Sequence, residues 1–318
     1  MGEALRETIR PGRAHPRTSA ARRACVTSGV VLTPNSSLIT SPNGLALAVH
    51  DWGGDGPPVL LAHPTGFHGL VWGPTAQRLR DAGRHPYSFD FRGHGDSQRG
   101  EQIVGWDGFG ADALCVAEHF CIAGDGALIA AGHSKGAAAL LLAEHATPGT
   151  FRNIWAYEPI TFPFDGPLPH ADDFPLAVGA RRRRNEWTST EEAFTAYASK
   201  PPMNAFDVEV LHAYANGALR DRGDGVMVLK CSPDAEAEVY ASGPTNDLFR
   251  RLPAINAHVV VACGELTDAI GPTQAAAIVD RLPNATLEVW AQHGHFGPQV
   301  DPARAAQSIV SVMHPGVA

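Results

Sequence analysis

The group in this 318-residue chain best placed to do chemistry is a serine hydroxyl held between two glycines. Ser134 stands in Gly132-His133-Ser134-Lys135-Gly136. An apolar run at 127–131 leads into the pentapeptide, and an Ala- and Leu-rich run follows at once, which predicts strand, very tight turn and helix. The residue at the centre of so sharp a bend is strained, and neighbours without Cβ let strand and helix approach each other. The turn holds the hydroxyl at a helix N-terminus, whose free N–H groups favour negative charge. A serine hydroxyl is a poor nucleophile until a base takes its proton during attack. The pattern Gly-x-Ser-x-Gly is weak evidence by itself; the strand before it and the helix after it give it meaning.

The surrounding elements are legible from the same kind of pattern. Short apolar runs at 59–62, 86–91 and 153–157 alternate with helical patterns at 71–82 and 103–121. The alternation resumes with runs at 258–263 and 286–290 and helices at 272–282 and 302–313. Such alternation argues for a parallel sheet with helices on both faces. Asn43-Gly44, between apolar runs at 37–40 and 45–51, is a hairpin signal. Across 161–253 the alternation stops; the segment is rich in Pro, polar residues and helical patterns at 174–185, 189–199, 207–219 and 233–240. It reads as an inserted helical lid. Residues 1–36 carry six Arg against two Glu and no periodicity, and read as a flexible tail.

Hydrophobic content of 44% with 18% charged residues is that of an ordinary soluble globular protein. A net charge of −8 argues against nucleic acid and anionic membrane as partners. The five cysteines are scattered without CxxC spacing, which gives no metal site and fits a reducing, cytoplasmic setting. No run of 18 apolar residues predicts a membrane span. Arg22-Arg23 precedes no sustained apolar core, so secretion is not expected.

Taken together, the order of elements and motifs resembles the α/β-hydrolase fold over about residues 37–316. The resemblance implies a mostly parallel eight-stranded sheet flanked by helices, with its core in 37–160 and 254–318 and a helical lid in 161–253. It implies Ser134 as nucleophile and a histidine after the last strand as base; Gly294-His295 fits, with His293 the rival. It implies an orienting acid between them in chain order. Asp268, in the loop past the 258–263 strand, matches the usual place; Glu265 and Glu158 are the alternatives, the latter because some members place the acid there. The oxyanion hole needs two N–H donors. One is the Lys135 amide. The other lies in His63-Pro64-Thr65-Gly66-Phe67, where Pro64 has no N–H; Thr65 is the expected donor, with Gly66 or Phe67 open.

The segment 90–97 resembles a loop-holding stretch of the family, so Arg92 and His94 are expected to be architectural. The Lys135 side chain is expected to pack away from substrate. Arg181–Arg184 is read as the solvated face of a lid helix, or otherwise as a contact for an anionic group. The implied activity is that of a cofactor-free, metal-free serine hydrolase of the lid-bearing esterase and lactonase type, acting on a small carboxylic ester or lactone. A C–C-bond hydrolase, a perhydrolase or a non-hydrolytic lyase could use the same residues.

Overall fold

The computed structural model describes residues 32–100, 105–123, 128–163 and 170–312. The tail reading for residues 1–31, the starts of the helix expected from 103 and the strand expected from 127, and the end of the helix expected to reach 313 lie outside the described residues. The described residues open with β1 (Asn35–Thr40) and β2 (Ala46–Asp51), paired antiparallel with Asn35 opposite Asp51. Gly44, at φ +81, makes the turn that Asn43-Gly44 predicts. Strand β1 begins at Asn35, so regular structure starts before residue 37, where the flexible tail was expected to end.

Next come β3 (Pro58–Ala62), α1 (Gly73–Asp81), β4 (His85–Phe89), α2 (Gly105–His119), β5 (Ile129–His133), α3 (Lys135–Ala146) and β6 (Asn153–Tyr157). An insertion follows: α4 (Pro175–Arg181), β7 (Glu186–Trp187), α5 (Thr190–Ala198), α6 (Val208–Ala218), β8 (Leu219–Asp221), β9 (Met227–Leu229), α7 (Pro233–Ser242) and α8 (Leu248–Arg251). The chain then returns to β10 (His258–Gly264), α9 (Pro272–Arg281), β11 (Ala285–Trp290), α10 (Gly297–Val300) and α11 (Pro302–Ser311). The main sheet has eight strands in the order β1-β2-β4-β3-β5-β6-β10-β11. Only β2 runs antiparallel to its neighbours; the other pairs are parallel.

The insertion differs from its purely helical expectation. It holds a second, three-stranded antiparallel sheet in the order β7-β9-β8. Strands of two or three residues are too short to show a period of two, which is why composition and helical spacing hide them. Three of its helices, α5, α6 and α7, begin at side-chain caps: Ser189, Asp207 and Ser232 each accept from backbone N–H groups of the first turn.

The central strands are apolar on both sides because helices cover both faces. On one face Leu60, Ala130, Ile154 and Val261 pack under α2 and α3. On the other, Val59, Leu61, Trp155 and Trp290 pack under α1 and α11. Helix α3 is buried nearly all round, and its alanines let α2 approach closely. This clamps α3 against the ends of β3 and β5, where the serine turn lies.

Candidate active site

Ser134 occupies the sharp turn between β5 and α3 at φ 56, ψ −120, a conformation that disfavours a side chain. The strain is held by neighbours. The Ser134 N–H donates to Tyr157 O at 2.8 Å, and Ser134 O accepts from Ala138 N at 3.1 Å. The flanking glycines are obligatory by contact: a Cβ on Gly132 would lie 2.6 Å from Ala137 N, and one on Gly136 would lie 2.3 Å from Ala62 O.

His295 lies in the loop after β11. Tyr157 Oη donates to Gly294 O at 2.8 Å and fixes that loop to the end of β6. The imidazole Nδ1 is 2.6 Å from Glu158 Oε2. With the carboxylate as acceptor, Nδ1 carries the proton and Nε2 is the basic nitrogen. The His133 ring, one residue before the serine, lies 4.7 Å from the His295 ring, so the serine turn and the histidine loop abut.

The structure thus pairs His295 with Glu158 and not with Asp268. Asp268 was expected beside His295, but Asp268 is exposed and forms no hydrogen bond or ion pair among the described residues. Its loop instead serves Glu158. Thr267 Oγ1 donates to Glu158 Oε2 at 2.8 Å, Ile270 N to the same oxygen at 3.3 Å, and Gly264 N to Oε1 at 3.0 Å. Glu158 is fully buried and sits at φ +46, directly after β6. A buried carboxylate is tolerable only when its lone pairs are satisfied, and here four donors converge on it. Of the rivals, His293 bonds Ala291 O, and Glu265 accepts from Gln292 N; neither joins the pair.

The amide loop after β3 is buried at Thr65. Phe67 N donates to Pro64 O at 3.3 Å, which engages that amide within the turn. The Thr65 and Gly66 N–H groups have no acceptor among the described residues. The Lys135 amide, as the first residue of α3, has no helical acceptor by position.

Aromatic rings wall the site. Phe67 lies 5.8 Å from Phe296 and 6.1 Å from Phe206, and Phe206 lies 5.3 Å from Phe296. Phe296 stands 5.1 Å from His295. One ring comes from the loop after β3, one from the insertion and one from the loop after β11. His133 fills the space beneath; burial pushes its imidazole well below the ordinary range, so it is neutral. Neither Phe206 nor Phe296 stood out in the sequence, where each is one aromatic among many.

The remaining polar groups hold loops. Asp90 is buried and accepts from Gly69 N at 2.6 Å, Asp96 N at 2.8 Å and His50 Nε2 at 3.3 Å. Burial opposes its charge, but the hydrogen bond and charge of His50 prevail and lower its pKa to about 2. Arg92 forms a buried bidentate pair with Asp112. Lys135 is fully buried, with Nζ 3.3 Å from His94 Nε2 and 4.2 Å from the centre of the Phe91 ring. In the basic run, Arg181 pairs with Asp172 and Arg184 with Glu192 at the surface. Arg183 differs: it turns inward to Glu236 at 2.5 Å and to Tyr214 Oη. The solvated-face reading thus fails for this one arginine. Among the described residues, no group of three His, Cys, Asp or Glu side chains could hold a metal ion, and no helix is long and apolar enough to cross a membrane.

Comparison with known proteins agrees with this architecture. The model of the Alpha/beta hydrolase family matches residues 59–308. No curated protein matches the sequence significantly. Among solved structures, E-2-(acetamidomethylene)succinate hydrolase superposes with a TM-score of 0.76 at 20% identity, over 88% of this chain and 99% of that one. The N-formylmaleamic acid deformylase of Pseudomonas putida gives 0.67 at 19%, over 87% and 100%. A malate-bound thermophilic esterase of Thermogutta terrifontis gives 0.66 at 19%, over 88% and 98%.

Proposed function

The chain belongs to the alpha/beta hydrolase family, and we propose that it is a serine hydrolase using Ser134, His295 and Glu158, cleaving a small carboxylic ester or lactone through an acyl-enzyme. The observation that carries this reading is the 2.6 Å bond from His295 to buried Glu158, beside a strained Ser134 turn. Ser134 Oγ attacks the carbonyl as its proton passes to His295 Nε2. The tetrahedral oxyanion is met by the amides of Thr65 and Lys135. Collapse breaks the bond to the alkoxide, which takes the proton from His295. Water, deprotonated by the same nitrogen, then releases the acid. Glu158 keeps the proton on Nδ1 and stabilises the imidazolium. The insertion that supplies Phe206 acts as a lid and gives the pocket an apolar wall. No step needs a cofactor, and a serine at this position does not suit the aspartate-ester chemistry of other hydrolases of this fold.

A p-nitrophenyl ester chain-length series with a lactone panel tests the proposal. The panel extends to N-acetyl and N-formyl derivatives of small unsaturated dicarboxylates, because two structural neighbours bear names of that kind. Hydrolysis that disappears in Ser134→Ala supports the reading. Hydrolysis that survives in that variant refutes it.

A further inference from the structure

The buried amine of Lys135 has no role in the steps above, although it belongs to the residue after the nucleophile. It lies in a column of polar groups beneath the amide loop. The first is His63: Nδ1 is 2.8 Å from Pro64 O, so it carries the proton, and Nε2 accepts the Phe91 N–H at 3.1 Å. His94 repeats the pattern, with Nδ1 3.0 Å from Arg92 O. Its Nε2 is left as the acceptor, and Lys135 Nζ meets it at 3.3 Å. The two imidazoles stand 5.2 Å apart. Phe91 and Phe109 close the box, with ring centres 4.2 and 4.9 Å from Nζ. All three polar side chains are essentially closed to solvent. No carboxylate lies within ion-pair distance of Nζ among the described residues: Asp112 is committed to Arg92, Asp90 to His50 and backbone amides, and Glu236 of the insertion to Arg183. A buried ammonium held by one imidazole and two rings is costly, and simple packing would be better served by Met or Leu.

We infer that Lys135 is a positioning residue: its ammonium, donating to His94, holds the His94–His63 column and through it the Pro64–Thr65 turn that offers the second oxyanion amide. This rests on the serine-hydrolase reading for its catalytic consequence, but its structural half does not. Burial, opposed by the charges of Cys231, Asp112, Asp90 and Glu236, lowers the amine to about pKa 7. The column therefore loses its charge as pH rises past neutrality.

The test is Lys135→Met, which keeps the length and removes the charge and the donor. Two readouts are taken with its melting temperature as the control for folding. The first is p-nitrophenyl acetate hydrolysis against pH. The expected result is a tenfold or greater fall in kcat with KM within about threefold, and loss of a descending limb near pH 7–8 that the wild type shows. The second is native-state exchange of the Phe91 amide, which donates to His63. Faster exchange by tenfold or more in the variant is expected. Unchanged Phe91 exchange overturns the inference even if the wild type proves inactive. Unchanged kcat and pH profile in an active, folded variant overturns its catalytic half. A wild type without esterase activity overturns the hydrolase reading and leaves the exchange result to decide the column.

Discussion

Two histidine clusters lie at the carboxyl ends of the strands, and they are built to opposite purposes. In the cluster of His63, His94 and Lys135, both nitrogens of each ring are engaged: Nδ1 with a carbonyl, Nε2 with an N–H donor. Neither imidazole there has a nitrogen left for a substrate proton. In the cluster of His295 and Glu158, one nitrogen is fixed by the carboxylate and the other is left for a reactant, with the imidazole partly exposed and the acid wholly buried. The first arrangement fixes loops; the second can move a proton. Burial, tautomer and the count of committed nitrogens separate the two where residue type does not.

The sharpest way to break that contrast is to remove the nucleophile. Ser134→Ala is expected to lower kcat by a factor on the order of 10⁵–10⁶, read by ester hydrolysis, with the fold unchanged by circular dichroism. Next is the elbow itself. Gly136→Ala would put a Cβ 2.3 Å from Ala62 O, and a loss of about 3 kcal/mol or more is expected by denaturant titration. The Lys135 cluster predicts a stability effect with a definite sign. Its folded pKa of about 7 lies below the ordinary lysine value of about 10.4, so between these pH values the unfolded chain binds more protons. Wild-type stability relative to Lys135→Met should rise with pH across that window and level off on either side. The total change should be on the order of a few kcal/mol, measured by urea titrations at several pH values. The smallest expected effect lies at the wall: Phe206→Ala should raise KM for apolar esters by about tenfold and leave kcat within a few-fold.

Much of the sheet was readable because its strands are short, apolar and punctuated. The expected run at 153–157 coincides with β6, and the expected helix at 272–282 differs from α9 by one residue. The small sheet of the insertion was not readable, because Glu186–Trp187 is too short to alternate. The serine turn was legible for a local reason: its glycines and flanking runs lie within about twenty residues. The carboxylate partner of His295 was not, because the choice between Glu158 and Asp268 is made by tertiary contacts more than a hundred residues apart in sequence. Thr267 and Ile270 donate to Glu158 across that gap, and Asp268 is left in solvent. One local hint existed in Tyr157-Glu158-Pro159: a carboxylate placed at the very end of a buried strand has little room to reach solvent. Arg183 shows the same limit. It cannot be told from Arg181, Arg182 and Arg184 by sequence, yet it is the one that turns inward to Glu236.

The most direct test of the proposed machinery compares fluorophosphonate labelling rates, with the modified residue located by mass spectrometry, in the wild type, Glu158→Gln and Asp268→Asn. Labelling is predicted at Ser134, slowed by roughly 10²–10⁴ in Glu158→Gln, where His295 loses its carboxylate partner, and within twofold of wild type in Asp268→Asn. The reverse pattern, with Asp268→Asn slow and Glu158→Gln unaffected, or labelling at another residue, would contradict the assignment of Glu158 as the acid behind His295.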